Sequence, residues 1–245
     1  MKSKKLNIIG TLAVYAVLFS LIAGFIYFDT HYTVINKKIF RNDIKTITGT
    51  NLTKKDDIDC FINFNITDIR EVNKCTELEE MNLLSASDNI ISKLNDFHNL
   101  KYLTIMNSDI SSADCEKISQ FDNLQSLEIH NADVDFKGFN SDTISYIELW
   151  GYIKAKNFEV LSECESLKNI LVWSSEIHDN NIIEDISVFT DFDYIESLSL
   201  SIDRIEDISG ILEMDSLKTL EVKKDAISED NVKLLEDKGV TVTYY

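Results

Sequence analysis

The chain has 245 residues, with 24 Lys and Arg against 42 Asp and Glu, for a net charge of −18. An acidic surplus of that size repels nucleic acid and anionic lipid, which excludes both as partners of its surface. With seven glycines and no proline it carries no Gly-rich phosphate loop, and no C-x-x-C pair or Cys/His cluster has metal-ligand spacing.

In chain order, a short tail at residues 1–5 holds Lys2, Lys4 and Lys5, and an uncharged run follows at residues 6–28. At 1.5 Å per helical residue that run spans about 35 Å, enough to cross a hydrocarbon core of roughly 30 Å. The lysines place the tail in the cytoplasm and the remainder of the chain outside it, so the run is expected to be one transmembrane helix that anchors the protein in the cell membrane. A cleaved signal peptide is the competing reading. The run is longer than the usual apolar region of roughly 7 to 15 residues, and residues 20–24 make a poor small-residue cleavage site. In the juxtamembrane segment 29–57, Ile35, Ile39, Phe40, Ile44 and Ile47 lie near helical spacing and predict an N-terminal cap.

From residue 58 to 245 one figure returns about every twenty-two residues: apolar positions three apart, then two apart. Its clearest copy is Ile205, Ile208, Ile211, Met214, Leu217, Leu220, Val222. Ile66, Ile69, Val72, Cys75, Leu78, Met81, Leu83 and Ile183, Ile186, Phe189, Phe192, Ile195, Leu198, Leu200 overlay it without a gap. Shorter copies end in Leu103-x-Ile105, Leu127-x-Ile129, Ile147-x-Leu149 and Ile170-x-Val172, and Ile62 with Phe64 opens the series to make eight strands. A period of three suits tight turns, and a terminal alternation suits a strand with one face on a core. Such a unit cannot bury its own flat sides and must stack. Ser228 as N-cap, Glu229 and Asp230 in the first turn, Val232 and Leu235 on one stripe and Gly239 after it predict a closing helix. Val240 and Val242 then end the sheet in a C-terminal cap from about residue 228.

The L-x-x-L-x-L cores, such as Leu100-x-x-Leu103-x-Ile105 and Leu217-x-x-Leu220-x-Val222, resemble the leucine-rich repeat family. The I-x-D-I stretches at Ile66, Ile183 and Ile205 look like its internalin-type subclass of bacterial surface proteins. The resemblance implies an α/β solenoid, a coil with a concave parallel β-sheet and short turns or 3-10 segments on the convex side, preceded by the one transmembrane helix. One departure stands out. The Asn that the family places three residues past the last strand leucine is replaced by Ala86, Ser108, Ala132, Tyr152, Ser175 and Asp203, while Asn107 and Asn131 come one residue early. A ladder of asparagines is therefore expected to be absent or shifted.

The residues between the inward leucines form outward columns. One runs Tyr102, Ser126, Tyr146, Asn169; the next Thr104, Glu128, Glu148, Leu171; the third Met106, His130, Trp150, Trp173. Both tryptophans of the protein fall on adjacent strands, and both are expected to face solvent. Exposed aromatics with an acidic fringe suit a partner-binding site, and the residues chosen are Tyr102, His130, Tyr146, Glu148, Trp150, Leu171 and Trp173. The bland reading is that another segment or a second copy of the chain covers the patch, giving internal packing or self-association. By family resemblance the partner is a protein or a surface polymer. The acidic surplus itself reads as the solubility of an exterior domain, with attraction of a basic partner as the alternative. The surplus loop at 174–181, beside Trp173, would form a rim. Cys60, Cys75, Cys115 and Cys164 are expected to be core thiols, because Cys75 and Cys164 hold one apolar position in coils several layers apart. No cofactor and no catalytic set is expected: His31, His98, His130 and His178 are scattered, and carboxylates abound in so acidic a chain.

Overall fold

The computed structural model describes residues 27, 32–35, 38–41, 46–47, 72–73, 75–83, 91–173, 186–205 and 207–245. Apart from Tyr27, the run read as a membrane anchor lies outside the described residues, as do Cys60, Ile62, Phe64 and the surplus loop at 174–181. Among the described residues no helix is long and apolar enough to cross a membrane.

Strands β1 (Tyr32–Ile35) and β2 (Lys38–Arg41) pair antiparallel as a two-stranded sheet. The near-helical spacing read in segment 29–57 is thus overridden in the described part, where β-branched and aromatic residues favour extended chain. Next come β3 (Thr46–Ile47), β4 (Glu80–Leu83), β5 (Tyr102–Met106), β6 (Ser126–Asp135) and β7 (Tyr146–Lys156). β8 (Asn169–Trp173), β9 (Ser197–Leu200), β10 (Thr219–Val222) and β11 (Thr241–Tyr244) complete the set. From β3 to β11 they form one parallel sheet of nine described strands, in which each strand lies between its neighbours in sequence. That is the topology of a leucine-rich-repeat-like solenoid. Beside β4 lie Thr46 and Ile47, which pair with Glu80 and Met81.

The interval of three has a direct hydrogen-bond basis. The amide of Leu94 donates to the Ile91 carbonyl, Leu100 to Phe97, Leu124 to Phe121, Leu167 to Cys164 and Met214 to Ile211, each bond closing a three-residue turn. Successive turns of that pitch eclipse their side chains on one side of the chain, which here is the core. The described side chains at apolar positions of the repeat figure, from Val72 to Val222, are all buried. Behind the sheet the turns carry clustered phenylalanines: Phe158 meets Phe189 edge-on at 5.7 Å and stacks on Phe192 at 5.6 Å, and Phe97 lies tilted 6.2 Å from Phe121. Cys75, Cys115 and Cys164 are buried free thiols, and burial pushes Cys115 up to about 12.

The turn side is less uniform than short turns alone. Helix α1 (Ser112–Ser119) opens with a capping box between Ser111 and the buried Asp114, whose other oxygen accepts the Ser92 amide of the preceding coil at 2.8 Å. A second helix, α2 (Ser209–Glu213), fills the coil before β10, and α3 (Glu229–Lys238) runs from a Ser228 cap to Gly239 at φ 93°. β11 then pairs Val242 with Leu220 and Tyr244 with Val222, so Val240 belongs to the buried turn before the strand.

Asparagines do bridge coils, at shifted places. The side chain of Asn73 accepts the Asn95 amide at 2.8 Å, and Asn95 donates back to the Asn73 carbonyl at 3.1 Å. Asn107, just past β5, and Asn131, inside β6, both adopt left-handed φ of 51° and bend the chain there. Asn131 accepts the Tyr152 amide at 3.0 Å, and β6 and β7 resume pairing beyond this bulge, from Ala132 with Ile153 to Asp135 with Lys156. The same place needs Gly151: its φ is +79°, and an added Cβ would meet Asn131 Oδ1 at 2.2 Å. Gly151→Ala is therefore expected to cost about 2 to 3 kcal/mol in urea unfolding, combining left-handed strain with a lost hydrogen bond. Asn131→Gly removes the obstructing side chain while tolerating the left-handed φ, so in the Gly151→Ala background it should recover part of the loss. Purely additive costs would show that the two residues do not meet.

Candidate functional site

The strands set the site by register alone. Tyr102, Ser126, Tyr146 and Asn169 pair across β5 to β8, as do Thr104, Glu128, Glu148 and Leu171, and Met106, His130, Trp150 and Trp173. All seven residues chosen from the sequence therefore lie on one face, and neither indole enters the core. Tyr102 is 49% exposed and Trp150 42%, while the other five are half-buried.

The indoles differ in their surroundings. Trp150 inclines to His130, with ring centroids 5.5 Å apart. Trp173 is stacked on Tyr245 at 4.7 Å and 25°, and its Nε1 donates to Ser199 Oγ at 3.0 Å. The expectation that both indoles stand free is corrected for Trp173, which is held by its own fold. Ser199 in turn donates to Glu221 Oε2 at 2.7 Å, so this end of the face is a closed hydrogen-bonded chain.

At the centre the arrangement is different. Glu128 and Glu148 are direct neighbours on β6 and β7. Thr104 Oγ1 donates to Glu128 at 3.2 Å and the Tyr146 hydroxyl donates to Glu148 at 2.6 Å. His130 Nε2 lies 4.0 Å from Glu128 and 3.8 Å from Glu148, beyond hydrogen-bond reach, and it is buried without a partner. Burial holds His130 below its ordinary value, against the opposing pull of Glu148, so it stays neutral at pH 7. Burial, followed by the charge of Glu148, raises the Glu128 carboxyl above the usual carboxylate range. Burial and the Glu148 carboxylate push the Tyr146 phenol well up, which keeps it a proton donor.

Elsewhere on the coil, acids are answered by lysines of a neighbouring repeat: Asp96 by Lys117, Glu79 by Lys101, Glu196 by Lys218, Asp203 by Lys223. Among the described residues no lysine or arginine forms an ion pair with Glu128 or Glu148, and no group of three His, Cys, Asp or Glu could hold a metal ion.

Three participants were missed from the sequence. Tyr245 enters once β11 is added to the third column, since Val222 pairs with Tyr244 and Lys223 therefore faces Tyr245. Ser199 pairs with Leu171 and so continues the middle column onto β9, but a serine carries no mark of the indole it will bind. Tyr152, 51% exposed with Lys154 Nζ 5.5 Å from its ring centroid, follows from the continued alternation past Trp150.

Two measurements follow from these surroundings. Trp173→Ala should cost about 2 kcal/mol of stability through lost stacking and packing, and Trp150→Ala under about 1; equal costs in urea unfolding would contradict the difference in packing. Because Glu128 has a raised value in the folded state, its effect favours folding at acid pH and is lost as pH rises through that value. Glu128→Gln should therefore raise Tm at pH 7, and the gain should disappear below about pH 4.5, the ordinary glutamate value, where residue 128 carries no charge in either protein. A variant less stable than wild type at pH 7 would show that the carboxylate is a net stabiliser.

No protein-family model and no curated protein sequence matches the chain. Among solved structures, it is similar to the crystal structure of an internalin (inlF) from Listeria monocytogenes, at 17% identity and a TM-score of 0.45. The match covers 75% of this chain and 66% of that one. The repeat architecture stands on strand register and the buried apolar figure, independently of that likeness.

Proposed function

We propose that the protein is a membrane-anchored, extracytoplasmic repeat protein that binds a protein partner through the open, concave face of its sheet. The observation that carries this reading is the exposure of Tyr102 and Trp150 on either side of an acidic pair with no lysine or arginine counterpart among the described residues. Aromatic side chains supply much contact area for little lost rotamer freedom, and they dominate the energetics of protein interfaces. A rigid sheet holds them in place before binding, which lowers the entropy cost of association. The anchor follows from the uncharged run at 6–28 and the three lysines before it. The reading assigns binding and no catalytic step.

The test uses the full chain in its native membrane. Chemical cross-linking and capture are compared between wild type and a Tyr102→Ala, Trp150→Ala variant. Hot-spot aromatics are worth at least about 2 kcal/mol each, so capture of any specific partner should fall more than about tenfold while Tm shifts by only a few degrees. Undiminished capture would remove the open face from the interaction. Protease added to intact cells should digest the repeat domain; protection there would overturn the orientation.

A further inference from the structure

Resting on that reading, we infer that the partner presents a lysine or arginine side chain, which seats between Glu128 and Glu148 with its stem flanked by Tyr102 and Trp150. Tyr102 stands on β5, Glu128 two residues further along on β6, and Trp150 two further again on β7. The three therefore lie on one diagonal of the sheet, with the carboxylate at its middle. Two strand spacings of about 4.8 Å and four residues of about 3.3 Å make that diagonal roughly 16 Å long. That length suits a segment of polypeptide better than a lone small cation.

Charge complementarity selects the chemistry of the occupant. Two like carboxylates face each other across neighbouring strands, with side chains 37% and 22% exposed. Half-buried like charges raise each other's energy, and an incoming cation removes that penalty for both at once. Thr104 and Tyr146 each donate one hydrogen bond to the pair, which orients the oxygens and leaves acceptor sites on both. His130 cannot serve as an internal cation at pH 7, because burial keeps its ring neutral. Aromatic rings on both flanks add cation–π attraction for a guanidinium or ammonium group. A metal ion fits less well, since among the described residues no set of three ligands converges.

The probe is a glycine heptapeptide amide with one central arginine, titrated into the full chain in detergent micelles and followed by tryptophan fluorescence and calorimetry. Its lysine version and its citrulline version, which keeps the shape and lacks the charge, are run in parallel. The arginine and lysine peptides should saturate the signal, the citrulline peptide should bind at least tenfold more weakly, and Glu128→Gln with Glu148→Gln should lower arginine affinity at least tenfold. That variant removes like-charge repulsion and should keep its fold, which Tm checks. Equal binding of citrulline and arginine, an unaffected double glutamine variant, saturation by spermidine or calcium alone, or no saturation by any peptide at about 10 mM would each overturn the inference. Partner capture that needs Tyr102 and Trp150 but survives both glutamine substitutions would leave the open face as the docking surface and overturn the cationic assignment alone.

Discussion

A parallel strand cannot satisfy its own backbone, and in this protein each strand from β4 to β10 is completed by the strands of the coils on either side. That mutual dependence sets everything else. It requires each coil to return to the same register, and the return is made by turns with hydrogen bonds three residues apart that keep every third side chain inside. The leucines and phenylalanines reward stacking with burial, yet the address of each side chain comes from the ladder of strands. A repeat taken alone would have an unpaired edge on both sides and two bare apolar faces.

The same ladder creates the outward columns without any selection for folding at those positions. Residues at the open face are spaced by the strands and not by their own interactions, so like charges can be held together at the centre. At the β8 to β11 end the face is neutralised by its own contacts, with Trp173, Ser199, Glu221 and Tyr245 bonded or stacked to one another. Over β5 to β7 the two carboxylates accept hydrogen bonds from Thr104 and Tyr146 but pair with no lysine or arginine among the described residues, and Tyr102 and Trp150 are exposed. The two halves of one face thus differ in charge balance, the β8 to β11 end closed by its own contacts and the centre left acidic.

Much of this was legible in the sequence because a single period carries it. The seven-point figure at Ile205 to Val222 located the strands, their inward residues and therefore the neighbours Trp150 and Trp173. Three things escaped for physical reasons. Segment 29–57 has apolar residues near helical spacing, and a few Ile and Phe positions cannot distinguish that from short strands when Thr33 and Val34 lie among them. Asn107 and Asn131 look misplaced by one residue until their left-handed φ is known, since their work is to turn the backbone. The engagement of Trp173 depends on how far Tyr245 reaches across two intervening strands, and no local pattern encodes a side chain's reach.

Tyr245 follows β11, the outermost described strand of the sheet, and rests on an indole three strands inward. Edge strands are where local opening begins, with free energies far below that of global unfolding. Any local opening of β11 would therefore lift a ring from Trp173 and enlarge the aromatic area presented by the sheet. The extent of that surface is thus tied to the docking of a strand that itself carries none of the central carboxylates.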